Sequence, residues 1–425
     1  MKNTTRLFHG VPAVLSNGQW IVLSDGFDEI VTIPENDIDD PKIFEELNNS
    51  NFFHSDRKLS DVFQLILITT SDCNLRCAYC FADSGSSAIV MSETMAYAAV
   101  DYGIMASVGK RLSIAFFGGE PSMTGGLIKK IVAYAREQKL AENGNAGVEF
   151  GITTNGVMPA DFLDFLVHNK FRITVSADGP SEIQNLHRPL KNGRPSSRVV
   201  EESIRRLVAH GKEFKLRVTV PESTVTRMVD VVEWLHSLGG NTIHFEPISI
   251  AGRASQKTTG LVFNKPPVDL FVENMQKAIL RGNELGVGVV NSAFMNISTP
   301  PPEFCDGNSG NRIAISYTGD VTTCVEVQEK CHPASTDFII GKYNPETGLL
   351  ALLDGQRSKS CSGKKAKDCL ECFAIKICGG GCPVRNFHAT GDVTKVDPYR
   401  CASIKKMMSF LMELFLKTSI EAAQK

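Results

Sequence analysis

The sequence predicts an α/β protein: a partial (β/α)6 TIM-type barrel with a short N-terminal hairpin/helix unit before it and a cysteine-rich domain behind it. Three observations predict this. Six strand-like runs alternate with amphipathic helix-like stretches between about residues 62 and 285. Asn17-Gly18 sits between two apolar runs near the N-terminus, a strong short-range hairpin signal. The 12 cysteines fall only at 73–80 and 305–401, leaving a cysteine-free middle.

Taken in order, residues 1–60 hold VPAVL and WIVLS around SNGQ, a polar stretch IPENDIDDPK, and a helical segment FEELNNSNFF. In the barrel, 61–290, the strand candidates are FQLILIT (63–69), LSIAFF (112–117), VEFGITT (148–154), RITVSAD (172–178), FKLRVTV (214–220) and TIHFEPI (242–248). The helix candidates between them are SETMAYAAVDYGIMAS, GGLIKKIVAYAREQKLAENG, ADFLDFLVHNK, SRVVEESIRRLVAHG and VTRMVDVVEWLHSLG. Each carries apolar residues at helical spacing and Gly or Asn near an end. Such alternation implies a parallel sheet covered by helices. Six units are too few for an eight-stranded barrel, so an open one is expected, its site at the carboxyl ends of the strands. A Pro-rich bridge leads to the cysteine-rich domain, 300–405, in which IAIS and VTTCVEV flank the turn YTGD. The helical tail, 402–425, has a Met, Leu and Phe stripe that reads most simply as a helix packed on the body of the protein.

Composition narrows the function. Lys plus Arg is 45 and Asp plus Glu 47, for a net charge of −2, so no single-sign field argues for nucleic acid or an anionic membrane. No apolar run is long enough to span a bilayer, and the first residues lack the apolar core of a signal peptide. A cytoplasmic protein is expected, whose cysteines read as metal or cluster ligands before disulfides.

The first cysteines stand in TTSDCNLRCAYCFAD, where Cys73, Cys77 and Cys80 have the spacing C-x3-C-x2-C directly after the first barrel strand. A [4Fe–4S] cluster is usually held by four thiolates. Three in one loop leave an iron open to a ligand that is not protein. The alternative is a zinc knuckle, but zinc wants four ligands, and no fourth Cys or His is nearby. The next strands end in FFGGEPSM (Gly118, Gly119, Glu120), TTNG (Asn155) and SADGP (Ser176, Asp178). Each alone is also good turn chemistry. Together, in order, they ring one mouth.

This constellation resembles the radical S-adenosylmethionine (SAM) enzymes. The resemblance implies a [4Fe–4S] cluster on Cys73, Cys77 and Cys80 whose open iron takes the amino and carboxylate groups of SAM. It places Tyr79 against the adenine, Gly118, Gly119 and Glu120 at the SAM ammonium, and Asn155, Ser176 and Asp178 at the ribose or methionine part. The run SADGPSEIQNLHRPLKNGRPSSRVVEESIRRL is similar to the peptide- and protein-modifying branch, where Arg198 would pair with the SAM carboxylate; the alternative for Arg198 is an ordinary surface arginine. Arg188 and Arg217 are expected on the substrate side. The implied chemistry is reductive cleavage of SAM to a 5′-deoxyadenosyl radical, which takes a hydrogen atom from the substrate.

The later cysteines run Cys305, thirteen residues, Gly319, four residues, Cys324, a gap, then Cys369-x2-Cys372-x5-Cys378-x3-Cys382, eighteen residues, Cys401. This resembles the SPASM extension of radical SAM proteins, which carries two auxiliary clusters, for three [4Fe–4S] clusters in all. The resemblance assigns Cys369, Cys372, Cys378 and Cys401 to the outer cluster and Cys305, Cys324 and Cys382 to the inner one. Sulfatase-maturing relatives have a further cysteine six residues after the first; here that position is Asn311. Either an iron stays open or another group closes the cluster, with Cys331 and Cys361 as the spare thiols. Those relatives also carry an aspartate proton acceptor directly after the cysteine matching Cys324. Here the residues are Val325 and Glu326, so Glu326 is the candidate catalytic base and formylglycine formation is disfavoured.

The expected function is therefore a peptide maturase that oxidises a residue of a ribosomally made precursor peptide, leaving a C–C, C–S or C–O crosslink or a similar two-electron change. A flavodoxin or ferredoxin would supply the electrons. The alternatives are a sulfatase-type protein or a small molecule as substrate, and an iron–sulfur scaffold without catalysis. The N-terminal hairpin would be either an edge for the leader peptide or a lid on the barrel.

Overall fold

The computed structural model describes residues 4–25, 29–50, 52–53, 61–141, 147–256, 261–292, 304–353 and 367–423. The chain divides into two compact units. One comprises 1–59, 292–305 and 363–425, the other 60–291 and 306–362.

The first unit is built on a four-stranded antiparallel sheet of β1 (Thr4–Phe8), β2 (Val11–Ser16), β3 (Gln19–Leu23) and β4 (Ile30–Pro34), in that order. Asn17 and Gly18 turn the central hairpin with φ of 51° and 75°, the left-handed pair that a two-residue primed turn requires. The expected hairpin is thus the middle of a larger sheet. The expected helix lies a little earlier, at Pro41–Asn49, because Asp40 caps it by accepting from Lys42 N at 2.9 Å and Pro41 occupies the first turn. Phe8, Val11, Trp20, Ile33, Phe52 and Phe53 form the core of this sheet, with Phe44 of the helix packed against it. The helix Pro398–Ala423 lies against β2, β3 and β4, so the apolar tail has its partner within this unit.

The second unit holds the barrel. Its strands are β5 (Val62–Ile68), β6 (Arg111–Phe117), β7 (Val148–Thr154), β8 (Arg172–Ser176), β9 (Phe214–Val220) and β10 (Thr242–Pro247), at all six expected places. They pair in parallel in chain order, and β11 (Gly288–Val290) adds a seventh parallel strand beside β10. Helices Glu93–Ala106, Gly125–Ala141, Ala160–His168, Ser197–Ala209 and Met228–Ser237 make the expected crossovers. A further 18-residue helix, Val268–Leu285, leads into β11. On the other side of β5, β12 (Arg312–Ile315) pairs in parallel, and β13 (Asp320–Thr322), β14 (Ile339–Asn344) and β15 (Leu349–Leu352) follow antiparallel. The YTGD hairpin of the cysteine-rich region is thus an extension of the barrel sheet. Gly319 turns it with φ of 86°.

Alternation along the strands decides the two faces. Ile173 and Val175, Leu216 and Val218, Ile243 and Phe245 are buried. The intervening Thr174, Ser176, Arg217, Thr219, His244 and Glu246 put a polar row on the opposite face. Among the described residues no helix is long and apolar enough to cross a membrane.

Candidate functional site

The loop after β5 carries Cys73, Cys77 and Cys80, and three other chain segments hold its backbone. From the end of β6, Gly119 N donates to Thr70 O at 2.8 Å and Glu120 N to Asp72 O at 2.9 Å. A Cβ on Gly119 would stand 2.1 Å from Asp72 O, and one on Gly118, whose φ is 141°, 2.5 Å from Thr70 O. The paired glycines are therefore required by the cysteine loop itself. From beyond β8, the segment 187–191 runs beside the loop: Ala78 N donates to His187 O, Arg76 N to Pro189 O and Lys191 N to Asn74 O, each at 2.8 Å. From beyond β10, Arg253 N donates to Cys80 O and Arg253 Nε to Cys77 O, both at 2.9 Å, while its Nη1 reaches Asp83 Oδ1 at 2.8 Å. Gly252, with φ of 53°, admits this contact; a Cβ there would meet Phe81 O at 2.3 Å. The last two clamps are absent from the sequence reading. Gly252-Arg253 follow no motif, and 187–191, although inside the run SADGPSEIQNLHRPLKNGRPSSRVVEESIRRL, carry no local signal that their backbone pairs with the loop.

Cys73 and Cys77 are buried in one small cluster with Leu75, against which Cys80, Val157 and Leu190 pack. Burial first, then the neighbouring thiols, push Cys73 up to about 12; burial pushes Cys77 up to about 11 against the pull of Arg188. Leu75 N donates to Cys73 Sγ at 3.4 Å and Asn155 Nδ2 approaches it at 3.7 Å. Arg188 Nη1 stands 3.9 Å from Cys77 Sγ. Among the described residues no three His, Cys, Asp or Glu side chains converge on a single ion. Thiolates around one zinc would sit about 3.7 Å apart, from Zn–S bonds of about 2.3 Å. A multi-iron cluster spreads its thiolates at the corners of a larger body. Three thiols near enough to act on one another electrostatically, with N–H donors at the Cys73 and Cys77 sulfurs, fit such a cluster.

The structure brings the expected motif residues to this mouth and shows what each side chain touches. Glu120 is fully buried, and its carboxylate accepts from Ser122 N at 3.0 Å, Thr154 Oγ1 at 2.8 Å and Asn155 N at 2.6 Å. It ties the end of β6 to the end of β7; burial raises its pKa, and these bonds only partly offset that. Asn155 also donates to Asn74 Oδ1 at 2.7 Å and accepts from Val157 N at 2.8 Å, fixing the residue beside Cys73. The Tyr79 hydroxyl donates to Asp178, and its ring is boxed by His187 and Phe263, each centroid at 5.7 Å. Burial raises the Tyr79 pKa well above the usual range. Asp178 is 1% exposed and is met by Arg188 Nε at 3.1 Å, His187 Nδ1 at 3.3 Å and Thr219 N at 3.2 Å. Burial works to raise its pKa, but the Arg188 charge and the His187 and Tyr79 bonds outweigh it, holding the carboxyl near 2. Ser176 is half-buried at the end of β8, and Arg198 is exposed in the first turn of Ser197–Ala209, unpaired among the described residues. Asn185 Oδ1 caps that helix by accepting from Ser196 N and Ser197 N at 3.0 and 2.9 Å.

Arg188 departs from its expected place on the substrate side. It is buried behind the cysteine loop, because 187–191 pairs with that loop and carries the side chain under it. Arg217 is on the polar face: its Nη1 lies 2.7 Å from His244 Nε2 and 3.9 Å from Glu246 Oε2. Burial first and Arg217 second lower the His244 pKa, so its imidazole is neutral at pH 7.

In the first unit, Cys369, Cys372, Cys378 and Cys401 form an electrostatic group. Burial pushes Cys378 up to about 11, opposed by Arg400 and reinforced by Cys369 and Cys372; burial and Cys372 also raise Cys401. Three successive glycines, Gly379, Gly380 and Gly381, have φ of 59°, 90° and 85°, and fold the chain around Cys378 before Cys382 opens the helix Pro383–Thr390. Cys305 is in the first unit and Cys324 in the second. Asn311 faces Lys110, which donates to its Oδ1, and its own N–H group reaches Ser309 Oγ at 3.4 Å. Of the spare thiols, Cys331 is exposed and donates to Glu329 Oε2 at 3.7 Å, while Cys361 lies outside the described residues. Glu326 follows Cys324 in a turn closed by Val327 N to Cys324 O at 3.1 Å, and its charge acts on His332.

Known proteins match this architecture. The family model "Radical SAM superfamily" matches residues 67–242. A cysteine-type anaerobic sulfatase-maturating enzyme of Clostridium perfringens is 24% identical over 365 residues, 81% of this chain and 95% of its own length. The serine-type enzyme of Bacteroides thetaiotaomicron is 23% identical over 354 residues, 75% of this chain and 82% of its own. Among solved structures, native anSMEcpe with bound AdoMet superposes with a TM-score of 0.67 at 20% identity, covering 85% of this chain and all of that one. Streptococcus suis SuiB bound to precursor peptide SuiA gives 0.56 at 14% identity, covering 94% and 100%. The thiol triad at the mouth of a partial barrel and the sequence match over that barrel agree: residues 67–242 are a radical SAM domain, and a cysteine-rich C-terminal region follows it.

Proposed function

We propose that the protein is a radical SAM maturase acting on a peptide, with two auxiliary clusters in its cysteine-rich region. The observation that carries the proposal is the combination of the buried thiol triad of Cys73, Cys77 and Cys80 with a separate thiol group of Cys369, Cys372, Cys378 and Cys401. The bound cluster and SAM would supply the electron and the hydrogen-abstracting radical. The chain's own residues supply the rest. Arg253, 187–191 and the GGE segment hold the three thiols toward one another. Side chains with internal duties (Glu120, Asn155, Tyr79, Asp178) shape and fix the mouth, and the backbone of Gly118 and Gly119 borders it. Ser176 and Arg198 have no such duties and are the side chains to meet SAM. On the polar face, Arg217, His244 and Glu246 would orient the substrate.

Support for a peptide comes from the neighbours: anSMEcpe is solved with a Cp18Cys peptide and SuiB with its precursor peptide. The second reading, a sulfatase-type protein as substrate, is favoured by the curated relatives themselves. Against it stands Val325 after Cys324, where those enzymes by resemblance need a proton-accepting aspartate. A reducing flavodoxin or ferredoxin and a cytoplasmic setting complete the proposal.

The test is co-expression of the protein with the short reading frames beside its gene and, separately, with sulfatase peptides bearing the target Cys or Ser. Loss of two hydrogens from a short peptide supports the maturase. Aldehyde formation in a sulfatase peptide alone transfers the protein to the second reading.

A further inference from the structure

One buried cation has no task in the reading above. Arg188 is 7% exposed. Its Nη1 lies 3.9 Å from Cys77 Sγ, its Nε 3.1 Å from Asp178 Oδ1, and its guanidinium carbon 5.2 Å from the centre of the Tyr79 ring. Burying an unpaired charge is costly, so a buried arginine needs a counter-charge. Asp178 provides it, and is itself fixed by the Tyr79 hydroxyl, His187 and Thr219 N. Asp178 alone would satisfy Arg188. The planar fork instead reaches two partners, a carboxylate on one side and a ligand sulfur on the other.

We infer that Arg188, balanced by Asp178, is a positioning residue that sets the reduction potential of the iron–sulfur group on Cys73, Cys77 and Cys80. The inference rests on the reading that these thiolates hold such a group. Reduction adds one electron and makes that group more negative. Net charge and hydrogen bonds at the sulfurs are what tune such potentials. A fixed cation donating to Cys77 Sγ favours the reduced state, and the carboxylate behind it tempers the effect. One electron enters from the external reductant. No proton moves, since arginine stays charged at any working pH.

The experiment uses the full chain, reconstituted anaerobically, as wild type, Arg188→Gln, Arg188→Lys and Asp178→Asn. A redox titration follows the part of the reduced electron paramagnetic resonance signal that changes when SAM is added, which separates this cluster from any auxiliary one. Arg188→Gln should lower the midpoint by at least a tenfold change in the reduction equilibrium, about 59 mV for one electron. Arg188→Lys should lower it less. Asp178→Asn should raise it, because the cation loses its counter-charge. Opposite signs mark an electrostatic role; a packing role would move both the same way or lower only iron content, and either result overturns the inference. If Arg188→Gln does not retain iron, the signs of the Arg188→Lys and Asp178→Asn shifts decide. A SAM-responsive wild type with unmoved variants overturns the inference alone. A wild type without any SAM-responsive signal overturns the underlying reading as well.

Discussion

Asp178 is tied into the wall of the mouth by protein groups alone among the described residues: Tyr79, His187, Arg188, and the backbone N–H of Thr219. Its carboxyl is held near 2, well below the usual carboxylate range. The folded value is depressed, so the stabilisation is present above pH 4 and lost as pH falls toward 2. It amounts to about 2 kcal/mol. Urea denaturation at a series of pH values should show that loss in the wild type and a shallower slope in Asp178→Asn. Glu120 makes the opposite case. Burial raises its pKa, yet three donors surround it. Glu120→Ala leaves these donors unpaired and should cost about 2–4 kcal/mol by the same measurement. The sequence made the cysteines legible, because ligand spacing is local. It made Glu120, Asn155 and Asp178 legible as members of one mouth, because each closes a strand. It could not show that the Glu120 carboxylate accepts from the backbone N–H of Asn155, or that Asp178 accepts from the Tyr79 hydroxyl. Those contacts, like the Arg188 and Arg253 contacts with the cysteine loop, join residues 35 to 176 positions apart.

At the scale of elements, the barrel strands were legible from their apolar runs and the helices from their 3.6-residue period. β1 and β4 were not. TTRLF mixes polar and apolar residues, and IVTIP ends in a proline that confines it to an edge. The two glycine contacts at the cysteine loop make a direct prediction. Gly119→Ala and Gly252→Ala would drive a Cβ to 2.1 and 2.3 Å from carbonyl oxygens of that loop. Both variants should keep the far-ultraviolet circular dichroism of the fold yet retain about a third less iron after reconstitution, one cluster of three. Gly109→Ala and Gly286→Ala have open space around them and should keep full iron.

At the scale of the molecule, the chain is discontinuous in both units, and no local pattern announces that. β12 joins the sheet beside β5 although some 245 residues separate them, and the tail helix returns to the N-terminal sheet. Met408 on that helix is fully buried, so Met408→Ala should lower stability by about 2–5 kcal/mol in thermal or urea unfolding. The account as a whole rests on the loop of Cys73, Cys77 and Cys80 holding the cluster that cleaves SAM. The most direct measurement is 5′-deoxyadenosine formed by the anaerobically reconstituted protein with dithionite and SAM, read beside its iron content. The account predicts about twelve irons and steady product in the wild type, against about eight irons and no product in the Cys73→Ala, Cys77→Ala, Cys80→Ala variant. Product that persists in the triple variant, or none from a fully loaded wild type, would contradict it.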